Sequence, residues 1–213
     1  MIHLLFNGQI SLFVILLIAI IISLTFHEFG HALLARLYGD DTAERAGRLT
    51  LNPIAHIDPA GLLMVMFVGF GYARPVPTNP AKFKSVWASP AIAFAGPGMN
   101  LLLAITTINL YALGLQAGLA FFSGPGPQVF FLFLAQINLL LMLFNLIPLG
   151  ALDGHYILAH FLPKDLSNGY LRFNYQYGNM LLLGLIVLSI AGVPIFNSLM
   201  DLSSRLLPLI AFA

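Results

Sequence analysis

His27, Glu28 and His31 stand in HExxH spacing inside an almost unbroken apolar run from Ile10 to Leu37. These residue types at this spacing are the parts of a metal-dependent hydrolase centre. Side chains four apart share a helix face, so the two imidazoles can converge on one ion. The glutamate beside the first histidine is placed to take a proton from a water activated there. Ionisable groups at membrane depth are costly and read as functional by default. The competing reading is a buried polar pair that ties helices together. Against it, a carboxylate at that depth would be expensive without a cation to offset it. The chain holds only two glutamates, Glu28 and Glu44, which makes a chance match improbable.

A catalytic zinc takes three protein ligands and keeps a further position open. There is no cysteine, so the third ligand must be a His, Asp or Glu brought close by the fold. Asp58, Asp153, His56, His155 and His160 are the plausible choices. Asp153 is best placed, because it opens a turn with Gly154 just after the third apolar span. Glycine would let the backbone turn tightly there. Asp153 also fits as the N-cap of a helix that follows it.

These residues need a frame, and the composition says which kind. Hydrophobic residues make up 59% of the 213 and charged residues 8%; mean hydropathy is +0.92. A soluble domain carries roughly 25% charge. The chain therefore reads as an all-α polytopic membrane protein, with the bilayer as its first partner. Its net charge of +1 leaves no nucleic-acid role. The N-terminus lacks a basic stretch, so no cleavable signal peptide is expected.

Apolar stretches predict spans over about 9–38, 89–115 and 129–147; the first is longer than the roughly 20 residues a bilayer requires, so it is tilted or starts at the interface. Residues 119–128, with Gly124-Pro125-Gly126-Pro127 and no charge, suit a short external loop. Residues 160–178 are polar. The region 179–213, split by Pro194, reads as one or two more spans, giving about four to five transmembrane helices. Between the first two spans, 49–51 reads as a short strand and 62–69 is apolar but too short to cross. Gly69, Gly71, Pro75, Pro77 and Pro80 then break regular structure. Basic residues flank both ends of 47–80, so this region is expected to be a re-entrant or interfacial β-hairpin. No repeat or side domain is evident, and 1–213 reads as a single domain. Arg36, Lys82, Lys84 and Lys164 share one side, whereas 1–8 and 118–128 carry no Lys or Arg. That side should be cytoplasmic, with the histidines towards it.

The remaining polar motifs are more ambiguous. Asn145 and Pro148 fit a helix-ending kink, or Asn145 could hold an extended substrate. Gly96-Pro97-Gly98-Met99-Asn100 suggests close helix packing. His56 at a turn reads first as structural. His3 and His160 read as surface residues.

Taken together, these blocks resemble the site-2 protease family of intramembrane zinc metalloproteases, in a minimal form without PDZ or CBS domains. The likeness rests on Phe26 to Ala32, on Leu51-Asn52-Pro53 through His56 to Gly61, and on Ala73 to Pro77 with Asn79-Pro80. It rests also on Ala95-Gly96-Pro97 with Asn100, and on Asn145 to Gly154. HExxH alone is common, but four further blocks in order are specific. The resemblance implies that His27, His31 and Asp153 bind one Zn2+ per chain and that Glu28 activates water. It implies that Asn145 helps to position substrate; His56 and Asn100 are candidates to stand behind the ligands. The expected activity is hydrolysis of peptide bonds in or near transmembrane segments of membrane-protein substrates. A metal transporter and a proteolytically inactive membrane scaffold are the alternatives. The second span has no Asp, Glu or His to line a metal path, and a scaffold need not keep the base.

Overall fold

The computed structural model describes residues 1–68 and 71–212. Its helices are α1 (His3–Phe6), α2 (Ile10–Leu37), α3 (Thr42–Arg45), α4 (Pro59–Val68), α5 (Ala88–Gln116), α6 (Pro125–Asn145), α7 (Gly154–Phe161), α8 (Lys164–Phe173), α9 (Asn179–Ile190) and α10 (Ile195–Ile210). Among the described residues, four stretches are long and apolar enough to cross a membrane: Ile10–Leu37, Ala88–Gln116, Pro125–Asn145 and Lys164–Ile190.

Helices α2, α5 and α6 pack against one another and form the centre. Lipid tails are as apolar as leucine, so close packing and shared hydrogen bonds must hold such helices together. The contact faces are accordingly small or polar. Ala19, Ser23, Ala32 and Ala35 on α2 are buried, as are Ala95, Gly96, Asn100 and Ala104 on α5 and Ala135 and Asn138 on α6. Larger apolar side chains such as Ile18, Leu102 and Leu132 point outward. At the far end Tyr111, Phe122 and Phe131 stack across the α5–α6 connection.

Two boundaries differ from the sequence expectation. The third span starts at Pro125, inside the anticipated loop, because proline needs no N–H partner in the first helical turn and its φ suits a helix start. The polar stretch 160–178 is helical as well. It forms α7's last residues, then α8, and passes through a π-turn at Asn174–Gly178 into α9. That turn anchors the loop between α6 and α7. Asn174 Oδ1 accepts from Gly150 N at 3.0 Å, and Tyr170 Oη donates to Pro148 O at 2.6 Å.

The expected β-hairpin over 47–80 is overturned. Among the described residues there is no strand. Pro53–Ala55 makes a 3-10 turn capped by Asn52, and α4 follows, with Asp58 Oδ1 accepting from the amides of Ala60 and Gly61. Residues 71–79 are irregular. Pro75 and Pro77 have no N–H to give a ladder. The carbonyls of Arg74 and Pro75 are taken by the Arg48 guanidinium at 2.5 and 2.9 Å. Thr50 O, on the anticipated first strand, accepts from His56 Nε2 at 2.8 Å. Among the described residues, one backbone bond, Arg74 N to His56 O at 2.8 Å, joins the two arms. Gly69, read as a breaker, lies outside the described residues.

The far end of this region is latched to the turn that follows α2. Asp40, fully buried, accepts from Thr42 N, Thr42 Oγ1 and Asn79 N. Burial pushes the Asp40 carboxyl up, but these donors outweigh it and hold the group below the ordinary carboxylate range.

Candidate metal centre

His27 and His31 lie one turn apart on α2, and both are buried. Their ring centroids are 4.7 Å apart at 80°, and their Nε2 atoms are 3.0 Å apart. What stands behind the rings fixes their protons. His31 Nδ1 is 2.7 Å from Ile92 O, which can only accept, so Nδ1 carries the hydrogen. His27 Nδ1 is 2.6 Å from Asn100 Oδ1. The amide of Asn100 cannot be turned round, because its Nδ2 donates to Ser23 O at 3.2 Å and to Asn138 Oδ1 at 2.7 Å. His27 Nδ1 is therefore also a donor. In the neutral rings both Nε2 lone pairs then face one point.

Asp153 closes the third side. Its Oδ2 is 3.3 Å from His27 Nε2 and its Oδ1 is 3.4 Å from His31 Nε2. The N-cap alternative fails on geometry. Asp153 does precede α7, but its side chain caps nothing and it has helical φ and ψ. Gly154 is also not the flexible turn residue that the sequence suggests. It is helical, and a Cβ there would lie 2.2 Å from Leu146 O. Its role is to let the chain pass close by.

The three residues fit a small cation. Asp153 Oδ2 is buried and makes no hydrogen bond. Two lone pairs at 3.0 Å, facing a carboxylate, repel unless positive charge lies between them. A tetrahedral ion with bonds of about 2.0–2.2 Å spaces its ligand atoms about 3.3–3.6 Å apart, near the separations seen here. Space is reserved as well. A Cβ added at Gly96 would stand 2.3 Å from His31 Nε2 and 2.6 Å from His27 Nε2. This group of one Asp and two His is the sole cluster of at least three potential ligands among the described residues.

Glu28, buried beside them on α2, faces Arg48, whose Nη2 is 4.0 Å from Glu28 Oε2. Arg48 is itself buried and also touches His56 Nδ1 at 3.4 Å. His56 thus belongs to the Arg48 cluster and contacts neither histidine of the centre through a hydrogen bond among the described residues. Asn100 is brought directly behind His27. Asn145 ends α6, with Nδ2 donating to Leu141 O at 2.9 Å and no hydrogen bond to its Oδ1 among the described residues. His155 Nδ1 donates to Leu152 O at 2.6 Å, and Asp58 caps α4. Sequence reasoning missed three contributors: the Ile92 carbonyl, Arg48 and Asn138. The first has no side-chain signal. Arg48 was visible only as one charge in a patch, and Asn138 as a lone asparagine within an apolar span, a costly placement.

Residues 15–124 match the model of peptidase family M50. That stretch carries His27, Glu28, His31 and Asn100 and stops before Asp153. The chain is 43% identical over 159 residues to the "Putative zinc metalloprotease YwhC" of Bacillus subtilis, covering 72% of each protein. The chain belongs to peptidase family M50. It is also 31% identical over 154 residues to the "Putative zinc metalloprotease Rip2" of Mycolicibacterium smegmatis and 30% identical over 170 residues to the Mycobacterium tuberculosis protein of that name. These alignments cover 70% and 72% of this chain but 57% and 60% of the relatives. No solved structure matches the chain. As an M50 peptidase with four apolar spans, it is a multi-pass membrane metalloprotease.

Proposed function

We propose that this chain is a zinc-dependent endopeptidase that cuts membrane-protein substrates in or near their transmembrane segments. His27, His31 and Asp153 hold one Zn2+, Glu28 is the general base, and 1–213 works as one intramembrane domain. The carrying observation is the convergence of the two Nε2 atoms, each with its Nδ1 turned away to an acceptor, and a carboxylate oxygen with no hydrogen bond, inside a bundle of apolar helices.

Zinc bound there supplies Lewis acidity, polarising a carbonyl and bringing the pKa of a water towards neutrality. The Glu28 carboxylate takes that water's proton and returns it to the leaving amine. Arg48, fixed by the Arg74 and Pro75 carbonyls, sets a positive charge 4.0 Å from Glu28 Oε2. The substrate must present its scissile bond extended, since a helix hides its carbonyls in internal bonds. Asn145 Oδ1, at the end of α6, is then available to accept from a substrate amide.

Zinc bound to purified protein should amount to about one per chain. Asp153→Ala should lower it sharply, and full occupancy in that variant would remove Asp153 from the ligand set. Co-expressed with a tagged single-span protein, the wild type should release a cleavage product that a zinc chelator suppresses. Intact substrate under all conditions would refute the peptidase reading for that substrate class. Orientation has its own check. The basic segments around Arg36, Lys82 and Lys164 should be cytoplasmic and Ser123 external. The chain has no cysteine, so Ser123→Cys gives a single thiol. Labelling of it from the cytoplasmic side alone would reverse the orientation.

A further inference from the structure

Behind His27 a chain of buried polar groups runs away from the centre and crosses all three central helices. His27 Nδ1 donates to Asn100 Oδ1 at 2.6 Å, and Asn100 Nδ2 donates to Asn138 Oδ1 at 2.7 Å. Asn138 Nδ2 donates to Ser23 Oγ at 2.9 Å and to Leu134 O at 2.7 Å. Ser23 Oγ donates to Ala19 O at 2.8 Å. Asn100, Asn138 and Ser23 are all fully buried.

Three features set this chain apart from ordinary helix glue. It has one polarity from end to end, because Asn100, Asn138 and Ser23 each donate to a backbone carbonyl that can only accept: Ser23 O, Leu134 O and Ala19 O. Leu134 O forces Asn138 to present Nδ2 on that side, which leaves Oδ1 for Asn100. Asn100 in turn can offer His27 only its Oδ1. It also joins α2, α5 and α6 at one level, so the orientation of the His27 ring depends on residues of all three helices. Finally, it lies where water is scarce. A wrongly turned amide there would have no solvent to rescue it, and would leave a buried polar group unpaired.

We propose that Asn138, supported by Ser23, is a positioning residue that fixes the His27 tautomer through Asn100 and so sets metal affinity. Asn138 touches neither metal nor substrate; it acts through Asn100. Outer partners of a ligating histidine of this kind are worth about 10- to 100-fold in metal affinity. This inference rests on the reading of His27 as a ligand.

The test is zinc affinity of the purified full chain, measured by competition with a chromophoric chelator. Asn138→Leu keeps similar volume but removes the acceptor for Asn100 Nδ2. Asn109→Leu serves as the matched control. Asn109 is a buried α5 asparagine whose Nδ2 donates to Ile105 O and Ile210 O, remote from this chain of bonds. Asn138→Leu should weaken zinc binding by about 10- to 100-fold, whereas Asn109→Leu should leave it unchanged at a comparable loss of thermal stability. Ser23→Ala, a small change that any fold should survive, should weaken zinc in the same direction but less. Wild-type affinity in both Asn138→Leu and Ser23→Ala would overturn the proposal. Equal loss in Asn109→Leu would overturn it too, reducing the chain to packing. Failure of the wild type to bind zinc would instead defeat the parent reading.

Discussion

Replacing Gly96 with alanine is expected to abolish metal binding while leaving the helical bundle in place. The argument is steric. The added Cβ would stand 2.3 Å from His31 Nε2 and 2.6 Å from both Cε1 and Nε2 of His27. Ordinary carbon contacts begin near 3.5 Å, so both rings would have to retreat. They have nowhere to go, since Asn100 holds one from behind and Ile92 O the other. Alanine otherwise favours the helix over glycine by about 1 kcal/mol, so α5 itself gains. Zinc content of the purified variant should fall below about one-tenth of wild type, with helicity by circular dichroism unchanged. Stoichiometric zinc in this variant would show that the two Nε2 atoms do not form the site.

Gly96 also illustrates what a sequence can and cannot disclose. Its motif was readable as close helix packing, which is correct, but the neighbour it admits is a pair of imidazoles and not another backbone. The i, i+4 histidines were readable from the helical period alone, because apolar flanks on both sides leave no other secondary structure. Asp153 was the best-placed third candidate from its turn after the third span, but the N-cap reading stayed open beside it, since its approach depends on how α6, the 146–153 loop and the Asn174 turn pack in three dimensions. The hairpin expectation failed for a local reason. Alternation at 49–51 looked like a strand, but Pro75 and Pro77 strip the partner of donors and Arg48 occupies its acceptors. An arginine that binds carbonyls across 26 and 27 residues of chain leaves no periodic mark. The same holds for Asn138, which reaches α2 and α5 from a single position.

Changing Glu28 to glutamine should cut peptide-bond cleavage by at least about 100-fold, the usual scale for losing a positioned acid–base group. That is a loss of about 2.7 kcal/mol of transition-state stabilisation. The amide matches the carboxylate in size and keeps one oxygen towards Arg48, whose Nη2 stands 4.0 Å away. It removes only the capacity to take up and return a proton. The three candidate ligands, and the Asn100 and Ile92 contacts behind two of them, do not include Glu28. Zinc content should therefore stay near wild type, and KM for a single-span substrate should change little while kcat falls. This separation is what distinguishes the competing functions. A zinc transporter would move the ion across proteoliposomes and break no peptide bond in either form. An inactive scaffold would bind the substrate equally well in both forms and release no product from either. Loss of zinc along with activity would make Glu28 a ligand, and near-wild-type cleavage by Glu28→Gln would leave the base to be found elsewhere, even with every zinc ligand confirmed.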